Sequence, residues 1–230
     1  MIALITPTGG RPELINLCAR WMKQQEYHGE VLWVIIDDCQ PRTTDFITDD
    51  FKENWKIIKS FPEPFWQPEQ NTQARNLKAG LDIIKNLNPD AIFIIEDDDY
   101  YKPSYLEVMM KKLDGFNAAG EINTIFYHVP LKSWFNIKNK RHSSLFQTAF
   151  KPVLTPVFED CFKYEYIDYY FFRIIKNKNL FKADNISVGI KGQPGRKGIS
   201  IEHVRNKKYK SDPDGTKLIE LLGKDAIYYM

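Results

Sequence analysis

The sequence is poor in cysteine and contains no long apolar run. Its 230 residues include three cysteines, Cys18, Cys39 and Cys161, which are odd in number and form no CxxC pair. This argues against a disulfide framework and a thiolate metal site, and it favours a reducing, cytoplasmic setting. The first apolar run stops at Thr6-Pro7, too early for a signal peptide or a membrane span. We therefore expect neither export nor membrane insertion.

The sequence also has little net charge, because its formal charge is only +2. Positive residues nevertheless concentrate late in the chain, at Lys191, Arg196, Lys197, Arg205, Lys207, Lys208 and Lys210. Such a cluster can meet an anion, and an ordinary solvated lysine-rich surface is the alternative. With 43% hydrophobic and 27% charged residues, the chain has the composition of a globular protein. Its length predicts one domain with a substantial core, either an enzyme or a binding protein.

The first half of the chain alternates strand and helix patterns. Apolar runs predict strands at 2–5, 31–36, 55–61 and 91–95. Apolar residues at helical spacing predict helices over 12–25 and 72–86. The runs at 31–36 and 91–95 lack polar alternation, which is typical of strands covered on both faces. This half is therefore expected to be a βαβ-type unit with a mostly parallel, Rossmann-like sheet flanked by helices.

The second half is less regular. Residues 124–129 predict a strand, residues 164–176 an aromatic-rich helix, and residues 189–198 a loop punctuated by glycines. We expect the two halves to share one sheet and one core.

Acidic residues directly follow two of the predicted strands. Asp37 and Asp38 end the second strand, and four consecutive carboxylates at 96–99 follow the run at 91–95. Ligands of open α/β sheets bind outside the carboxyl ends of the strands, where these groups would lie. Crowded carboxylates repel one another unless a cation is present, and their oxygens suit Mg²⁺ or Mn²⁺, which also bind diphosphates. The alternative is an acidic turn or a helix N-cap.

Four short motifs occur in order within the first 110 residues. They are Thr6-Pro7-Thr8, Val34-Ile35-Ile36-Asp37-Asp38, Ala74-Arg75-Asn76, and the segment from Ile94 through Glu96-Asp97-Asp98-Asp99 to Pro103 and Glu107. Together they resemble the nucleotide-binding half of family-two-like GT-A glycosyltransferases. The resemblance implies one GT-A domain over 1–230. Its nucleotide-sugar-binding half would be 1–110, and its acceptor-binding half would be 111–230 with a C-terminal basic loop.

The resemblance also implies a nucleotide sugar, UDP-linked, as the donor. The residues assigned to its site are Thr6, Pro7, Thr8, Arg11, Asp37, Asp38, Arg75, Asp97 and Arg196. Of these, the first three would line the nucleoside pocket, and Asp37 or Asp38 would bond the base. Arg75 would lie near the diphosphate, and Arg196 would belong to a loop that closes over it.

A divalent ion, Mn²⁺ or Mg²⁺, is the cofactor that the resemblance implies. Glu96 takes the place of the first aspartate of the family's Asp-x-Asp motif, which leaves Asp98 as the expected metal ligand and Asp99 as its neighbour. A slip of one residue would make Asp97 and Asp99 the pair. His203 would complete the site as the family's C-terminal histidine, and a surface histidine is the alternative.

An inverting transferase needs a carboxylate that takes a proton from the acceptor hydroxyl. Asp168 is our candidate, because family members often carry an acidic pair ahead of a helix with a downstream arginine. Glu165 is the substitute candidate, and a plain amphipathic helix is the alternative. His142 lies among polar residues and either faces the acceptor or belongs to a solvated loop.

The leading functional hypothesis is metal-dependent transfer of a sugar from a nucleotide diphosphate to an acceptor hydroxyl. A glycan and a hydroxymethylated pyrimidine in DNA are both compatible acceptors, the latter because of the late basic cluster. Nucleotidyl transfer onto sugar phosphates is a second hypothesis, which the glycines before Arg11 support slightly. A non-catalytic module that binds nucleic acid or sugar is the third.

Overall fold

The computed structural model describes residues 1–68, 70–194 and 209–230, which form twelve strands and six α-helices. The strands are β1 (Ile2–Thr8), β2 (Val31–Asp37), β3 (Trp55–Ser60), β4 (Ala91–Ile94), β5 (Tyr100–Tyr101), β6 (Ala118–Glu121), β7 (Asn123–His128), β8 (Ser133–Lys138), β9 (Thr148–Phe150), β10 (Lys178–Phe181), β11 (Ser187–Lys191) and β12 (Lys210–Ser211). The helices are α1 (Pro12–Lys23), α2 (Gln73–Ile84), α3 (Tyr105–Leu113), α4 (Thr155–Glu159), α5 (Ile167–Ile174) and α6 (Thr216–Leu222). Among these helices, none has the length and apolar character that a membrane span needs.

A seven-stranded sheet lies at the centre, in the order β10-β6-β9-β4-β1-β2-β3. The four strands from β4 to β3 are parallel, and β9 runs antiparallel to its neighbours β4 and β6. Every residue of β2 and β4 is buried, and successive residues of β1 pack into apolar clusters on opposite faces of the sheet. This explains why these runs lack polar alternation. The prediction of an α/β fold with a mostly parallel central sheet flanked by helices is confirmed.

A second sheet of five strands has the order β12-β8-β7-β11-β5. Strands β7 and β8 form an antiparallel hairpin, and β11 joins β7 in parallel. The prediction that both halves share one sheet is confirmed for the central sheet, because β6, β9 and β10 of the second half join the strands of the first half there. The hairpin instead belongs to the additional small sheet. The core is also shared, since Phe93 of the large sheet and Tyr127 of the small one belong to the same apolar cluster.

The glycine-rich segment at 189–198 begins as a strand, which corrects the prediction of a loop. Gly189 lies within β11, next to the ring of Phe126 on β7. A Cβ atom at this position would lie 2.3 Å from a carbon of that ring. The glycine is thus required for close packing in a strand. Residues 195–208, which include Arg196 and His203, lie outside the described residues.

Parallel pairing brings the ends of three strands to one edge of the central sheet. Thr8 pairs with Asp37, and Ile5 pairs with Ile94, so β1, β2 and β4 all end there. The chain leaves β1 through Gly10, whose φ of +68° is a left-handed conformation that glycine adopts at no steric cost. Helix α1 then begins with a proline at its first position, where no backbone donor is lost.

Candidate active site

The carboxylate of Asp37 holds the loop that follows β2. It is fully buried, and the amide of Thr43 donates a 2.7 Å hydrogen bond to Oδ2. The hydroxyls of Thr43 and Thr44 each donate to the same oxygen at 3.1 Å. These bonds give Asp37 a structural role in shaping the loop.

Asp38 connects β2 to the start of α2. Its carboxylate is fully buried, and Oδ2 accepts hydrogen bonds from Thr72 Oγ1 at 2.6 Å and Asn76 Nδ2 at 2.7 Å. Arg75 Nη2 also lies 2.8 Å from that oxygen, which makes an ion pair between the buried carboxylate and a partly exposed guanidinium. Arg75 additionally donates to the carbonyl of Pro64 at 2.6 Å. The first turn of α2 is thus fixed to the end of β2.

Asp97 and Asp98 face Arg11, at the turn before α1. Arg11 Nη2 donates to Asp97 Oδ1, and Arg11 Nη1 lies 3.3 Å from Asp98 Oδ2. Thr8 Oγ1 donates to the other oxygen of Asp97 at 2.6 Å. Asp97 is buried, whereas 24% of the Asp98 side chain is exposed. Asp98 therefore offers a carboxylate to a ligand more readily than Asp97 does.

Asp99 points toward β11. Its Oδ1 accepts the amide N–H of Ile190 at 2.9 Å and lies 3.4 Å from Lys191 Nζ. Its Oδ2 is buried and finds no hydrogen-bond donor among the described residues. Leaving such an oxygen unsatisfied costs free energy, so this atom is a natural ligand for a cation or a donor that arrives from outside.

Glu96 is held by α2 and by Tyr101 of β5. Its Oε1 accepts a 2.7 Å hydrogen bond from Gln73 Nε2 of α2, and its backbone N–H donates to the hydroxyl of Tyr101 at 2.8 Å. Burial raises the pKa of Glu96 well above its ordinary value, and the charges of Asp99, Asp98 and Asp168 add to the shift.

The pKa values of the carboxylates at 96–99 shift in different directions. Burial, together with the Asp98 charge, raises the pKa of Asp99 to about 7 although Lys191 opposes the shift. Burial also acts to raise the pKa of Asp98, but Lys191 and Arg11 outweigh it and lower that pKa. Burial would lower the pKa values of Arg11 and Lys191, and the surrounding carboxylates reverse this and raise them. Both bases therefore stay charged inside an acidic cluster.

A divalent metal ion fits this cluster in its chemistry. The carboxylates are hard oxygen ligands, and Asp99 Oδ2 lacks a partner. Within the described part of the chain, however, no three histidine, cysteine or acidic side chains are gathered in a metal-binding arrangement. Arg11 and Lys191 supply the counter-charge there. The assignment of Glu96, Asp98, Asp99 and His203 as metal ligands stays a prediction.

Asp168 lies in the first turn of α5 and is half-buried. The amides of Tyr169 and Leu145 donate to its carboxylate, the former at 2.8 Å. Burial raises the pKa of Asp168, although these bonds and the neighbouring His142 oppose the shift. Burial lowers the pKa of His142, and the Asp168 charge opposes that. Glu165 is exposed on the turn before the helix, whereas Asp168 is half-buried.

Most of the predicted residues meet at one edge of the sheet. Those brought together are Pro7, Thr8, Arg11, Asp37, Asp38, Arg75, Glu96, Asp97, Asp98, Asp99 and Asp168. Thr6 differs, because it is fully buried and its hydroxyl accepts a 2.9 Å hydrogen bond from the indole of Trp33. The structure therefore gives Thr6 a packing role. The predicted Arg196 and His203 lie outside the described residues.

The sequence reasoning missed several residues of this edge. Thr72 and Asn76 hold Asp38, and their spacing of four residues on one helix face was a usable signal. Gln73 touches the acidic cluster. Lys191 does too, and the sequence had placed it among the late cations that can meet an anion, without its partner Asp99.

The fold and the site define an open α/β sheet with acidic and basic side chains at the carboxyl ends of adjacent parallel strands, where the ligands of such sheets bind. Residues 4–182 match Glycosyl transferase family 2, and the chain belongs to that family. Among curated proteins, none matches this chain in sequence.

Solved structures of S. aureus TarS are similar to this chain. TarS 1–349 in complex with UDP-GlcNAc has a TM-score of 0.60 at 12% identity, covering 84% of this chain and 59% of that one. The same fragment in complex with UDP has a TM-score of 0.57 at 13% identity, with coverages of 82% and 60%. The chain thus spans about three-fifths of the TarS fragment. At such identities the likeness shows the fold, which is GT-A.

Proposed function

We propose that this protein transfers a sugar from a UDP-linked donor to an acceptor hydroxyl. The observation that carries the proposal is the juxtaposition of two largely buried cations, Arg11 and Lys191, with four carboxylates at the strand ends. Family membership and the UDP and UDP-GlcNAc complexes of TarS support the same donor class. They also favour sugar transfer over nucleotidyl transfer and over a non-catalytic module.

The donor would lie across the ends of β1, β2 and β4. Arg11 and Lys191 are the described cations that face this space, and each can exchange a carboxylate partner for a diphosphate oxygen. Asp38 would act at the nucleoside end, where it fixes Arg75 and Asn76 at the pocket margin. Its carboxylate already accepts three donors, which leaves Asp38 a positioning role.

A divalent ion would be held by Asp98 and Asp99, with Glu96 and His203 as further candidate ligands. When bound, it would supply positive charge that stabilises the departing nucleoside diphosphate. Arg11 and Lys191 would contribute to the same stabilisation from the protein side.

Asp168 would act as the general base. As the acceptor oxygen bonds to the anomeric carbon, its proton passes to the Asp168 carboxylate, and the sugar–phosphate bond breaks with its electron pair on the diphosphate. Burial raises the pKa of Asp168, which increases its affinity for the proton of the acceptor hydroxyl. The adjacent His142 would help to hold this carboxylate in place.

Two measurements test the proposal. Calorimetry should show that the protein binds UDP with Mn²⁺ and loses most of that affinity in EDTA, because carboxylates and a diphosphate repel without a cation. UDP-GlcNAc with Mn²⁺ should yield UDP as sugar is transferred or hydrolysed. Absence of UDP binding would overturn the proposed function, whereas equal affinity in Mn²⁺ and EDTA would overturn only its metal dependence.

A further inference from the structure

Exposed aromatic side chains surround the candidate base. Tyr164, Tyr166 and Tyr169 are 36%, 50% and 37% exposed, and they flank Asp168 in the chain. We call Tyr164, Tyr166, Tyr169 and Tyr170, together with His142, the tyrosine strip. Large aromatic rings left in water beside a reactive group are typical of a binding surface.

Contacts between rings make the strip continuous. Tyr164 stacks on Tyr170 with centroids 3.8 Å apart, and Tyr170 meets Tyr169 edge to face at 5.3 Å. His142 meets the other side of Tyr169, also edge to face at 5.3 Å. The rings therefore hold one another in fixed orientations, which lowers the entropy cost of binding.

The strip also carries positive charge. Arg173 donates to the hydroxyl of Tyr169 at 3.0 Å, with its guanidinium 5.2 Å from the ring centroid. Lys163 Nζ lies 5.2 Å from the ring centroid of Tyr164. Lys140 and Arg141 are exposed just ahead of His142, and Glu165 is the exposed acid of this surface between Tyr164 and Arg173. These four cations outnumber the two acids of the same stretches, Glu165 and the half-buried Asp168.

The ring faces decide between two kinds of acceptor. A nucleic-acid base binds by stacking on an open aromatic face. Here Tyr164 and Tyr170 stack on each other and Arg173 lies over Tyr169, so three of the four tyrosine rings have a face already occupied, and Tyr166 is the more open one. What the strip presents is ring edges, hydroxyls and charged donors, which suit sugar hydroxyls and acidic groups better than bases.

We infer that the tyrosine strip is the acceptor subsite and that it binds an oligosaccharide carrying acidic groups. This inference rests on the proposed function, because it presents the acceptor hydroxyl to Asp168. The sugar hydroxyls would bond the tyrosine and histidine edges, and the acidic groups would pair with Lys163 and Arg173.

Calorimetry with three probes tests the inference. They are an acidic hexasaccharide of alternating N-acetylglucosamine and glucuronic acid, the neutral chitohexaose, and the oligonucleotide dT6. The wild-type protein should prefer the acidic hexasaccharide. Tyr169→Ala should weaken its binding about tenfold, and Tyr169→Phe, which removes only the hydroxyl bonded to Arg173, should weaken it less. The affinity for UDP with Mn²⁺ should not change in either variant.

Tyr228→Ala is the matched control. Tyr228 is also exposed and also carries a cation, Arg20, at 4.3 Å from its ring centroid, but it lies on the C-terminal turn. Its substitution should leave the affinity for the hexasaccharide unchanged. Preference for dT6 or chitohexaose, no binding of any probe, or equal losses in Tyr169→Ala and Tyr228→Ala would each overturn the inference. The proposed function would stand in all these cases if UDP still binds.

Discussion

Two buried aspartates at the same edge of the sheet have very different surroundings. Asp38 Oδ2 accepts hydrogen bonds from three side chains of the α2 start, at 2.6 to 2.8 Å. Asp99 receives one backbone amide and one lysine on Oδ1, and its Oδ2 has no donor among the described residues. A saturated carboxylate stabilises the fold and has little left for a ligand. An unsaturated one is costly until a ligand arrives, which marks the Asp99 side as the reactive region.

The largest effect should come from breaking the saturated region. Asp38→Ala leaves Arg75 without its buried partner and removes the acceptor of Thr72 and Asn76, so the free energy of unfolding should fall by about 3 kcal/mol. Urea denaturation measures it. Glu96→Gln is the control from the other region. Because burial disfavours the charged form of Glu96, this change should leave stability equal or higher. Similar losses in both variants would show that the two regions do not differ.

A substitution in the reactive region should instead lower the turnover of the enzyme. Asp168→Asn keeps the shape of the side chain but cannot accept the acceptor's proton, so UDP release from UDP-GlcNAc should slow by roughly 10²-fold while UDP affinity stays the same. Glu165→Gln, on the exposed turn, should keep full activity. Full activity of the Asp168 variant would assign the base to another residue, and loss of UDP binding would make Asp168 a structural residue.

A substitution of Lys191 tests whether the Asp99 side of the sheet edge binds the ligand. Lys191→Met keeps a long apolar stem but removes the charge paired with Asp99, so affinity for UDP in Mn²⁺ should fall about tenfold. Lys210→Met is the control, because Lys210 is exposed and lies 4.8 Å from the ring centroid of Trp134, away from the acidic cluster. Equal UDP affinities in wild type and Lys191→Met would place the diphosphate elsewhere.

Glu121 is a third buried carboxylate, and its effect on the free energy of unfolding can be measured through its titration. Glu121 Oε2 accepts a hydrogen bond from Gln147 at 3.0 Å, the backbone of Ala183 also bonds the carboxylate, and Oε1 has no donor among the described residues. Burial raises the pKa of Glu121 to about 8, from an ordinary value of 4.5. The folded state therefore holds its proton more tightly than the unfolded state does. Its stabilising contribution is complete below pH 4.5 and is lost as the pH rises toward 8.

The change in the free energy of unfolding that Glu121 causes over one pH unit should be small. We expect the free energy of unfolding to fall by about 1 kcal/mol between pH 6 and pH 7 from this residue. Glu121→Gln should flatten that dependence, because an amide does not titrate. Urea denaturation of both proteins at each pH checks this. Parallel pH profiles of wild type and variant would contradict the pKa shift.

Sequence patterns predicted the regions whose structure is local. The continuous runs at 31–36 and 91–95 became β2 and β4 because burial on both faces needs apolar residues at every position. The helix predicted at 164–176 is shorter, Ile167–Ile174, because the chain at Tyr166 is not yet helical. The acidic groups that follow β2 and β4 lie at the same edge of the sheet, because parallel strands end together.

Contacts between distant segments explain what the sequence did not reveal. The packing of Gly189 on Phe126 depends on two strands that lie 63 positions apart, so the glycine resembled a loop residue. The pairing of Lys191 with Asp99 depends on β11 reaching the central sheet's edge, which local periodicity does not encode. The unsatisfied oxygens of Asp99 and Glu121 likewise follow from tertiary burial alone.

The bond from Ile190 to Asp99 spans 91 residues of chain, and this has a consequence for folding. During synthesis the acidic segment is made long before β11. Until then, Asp99 has neither the Ile190 amide nor Lys191 as a partner. Contacts of such high sequence separation form late and slowly. We therefore expect that the segment 1–110 does not fold on its own, since it would lack the β11 partners of Asp99. Ribosome-bound chains that end before residue 187 should stay protease-sensitive, and protection should appear only once β11 has been made.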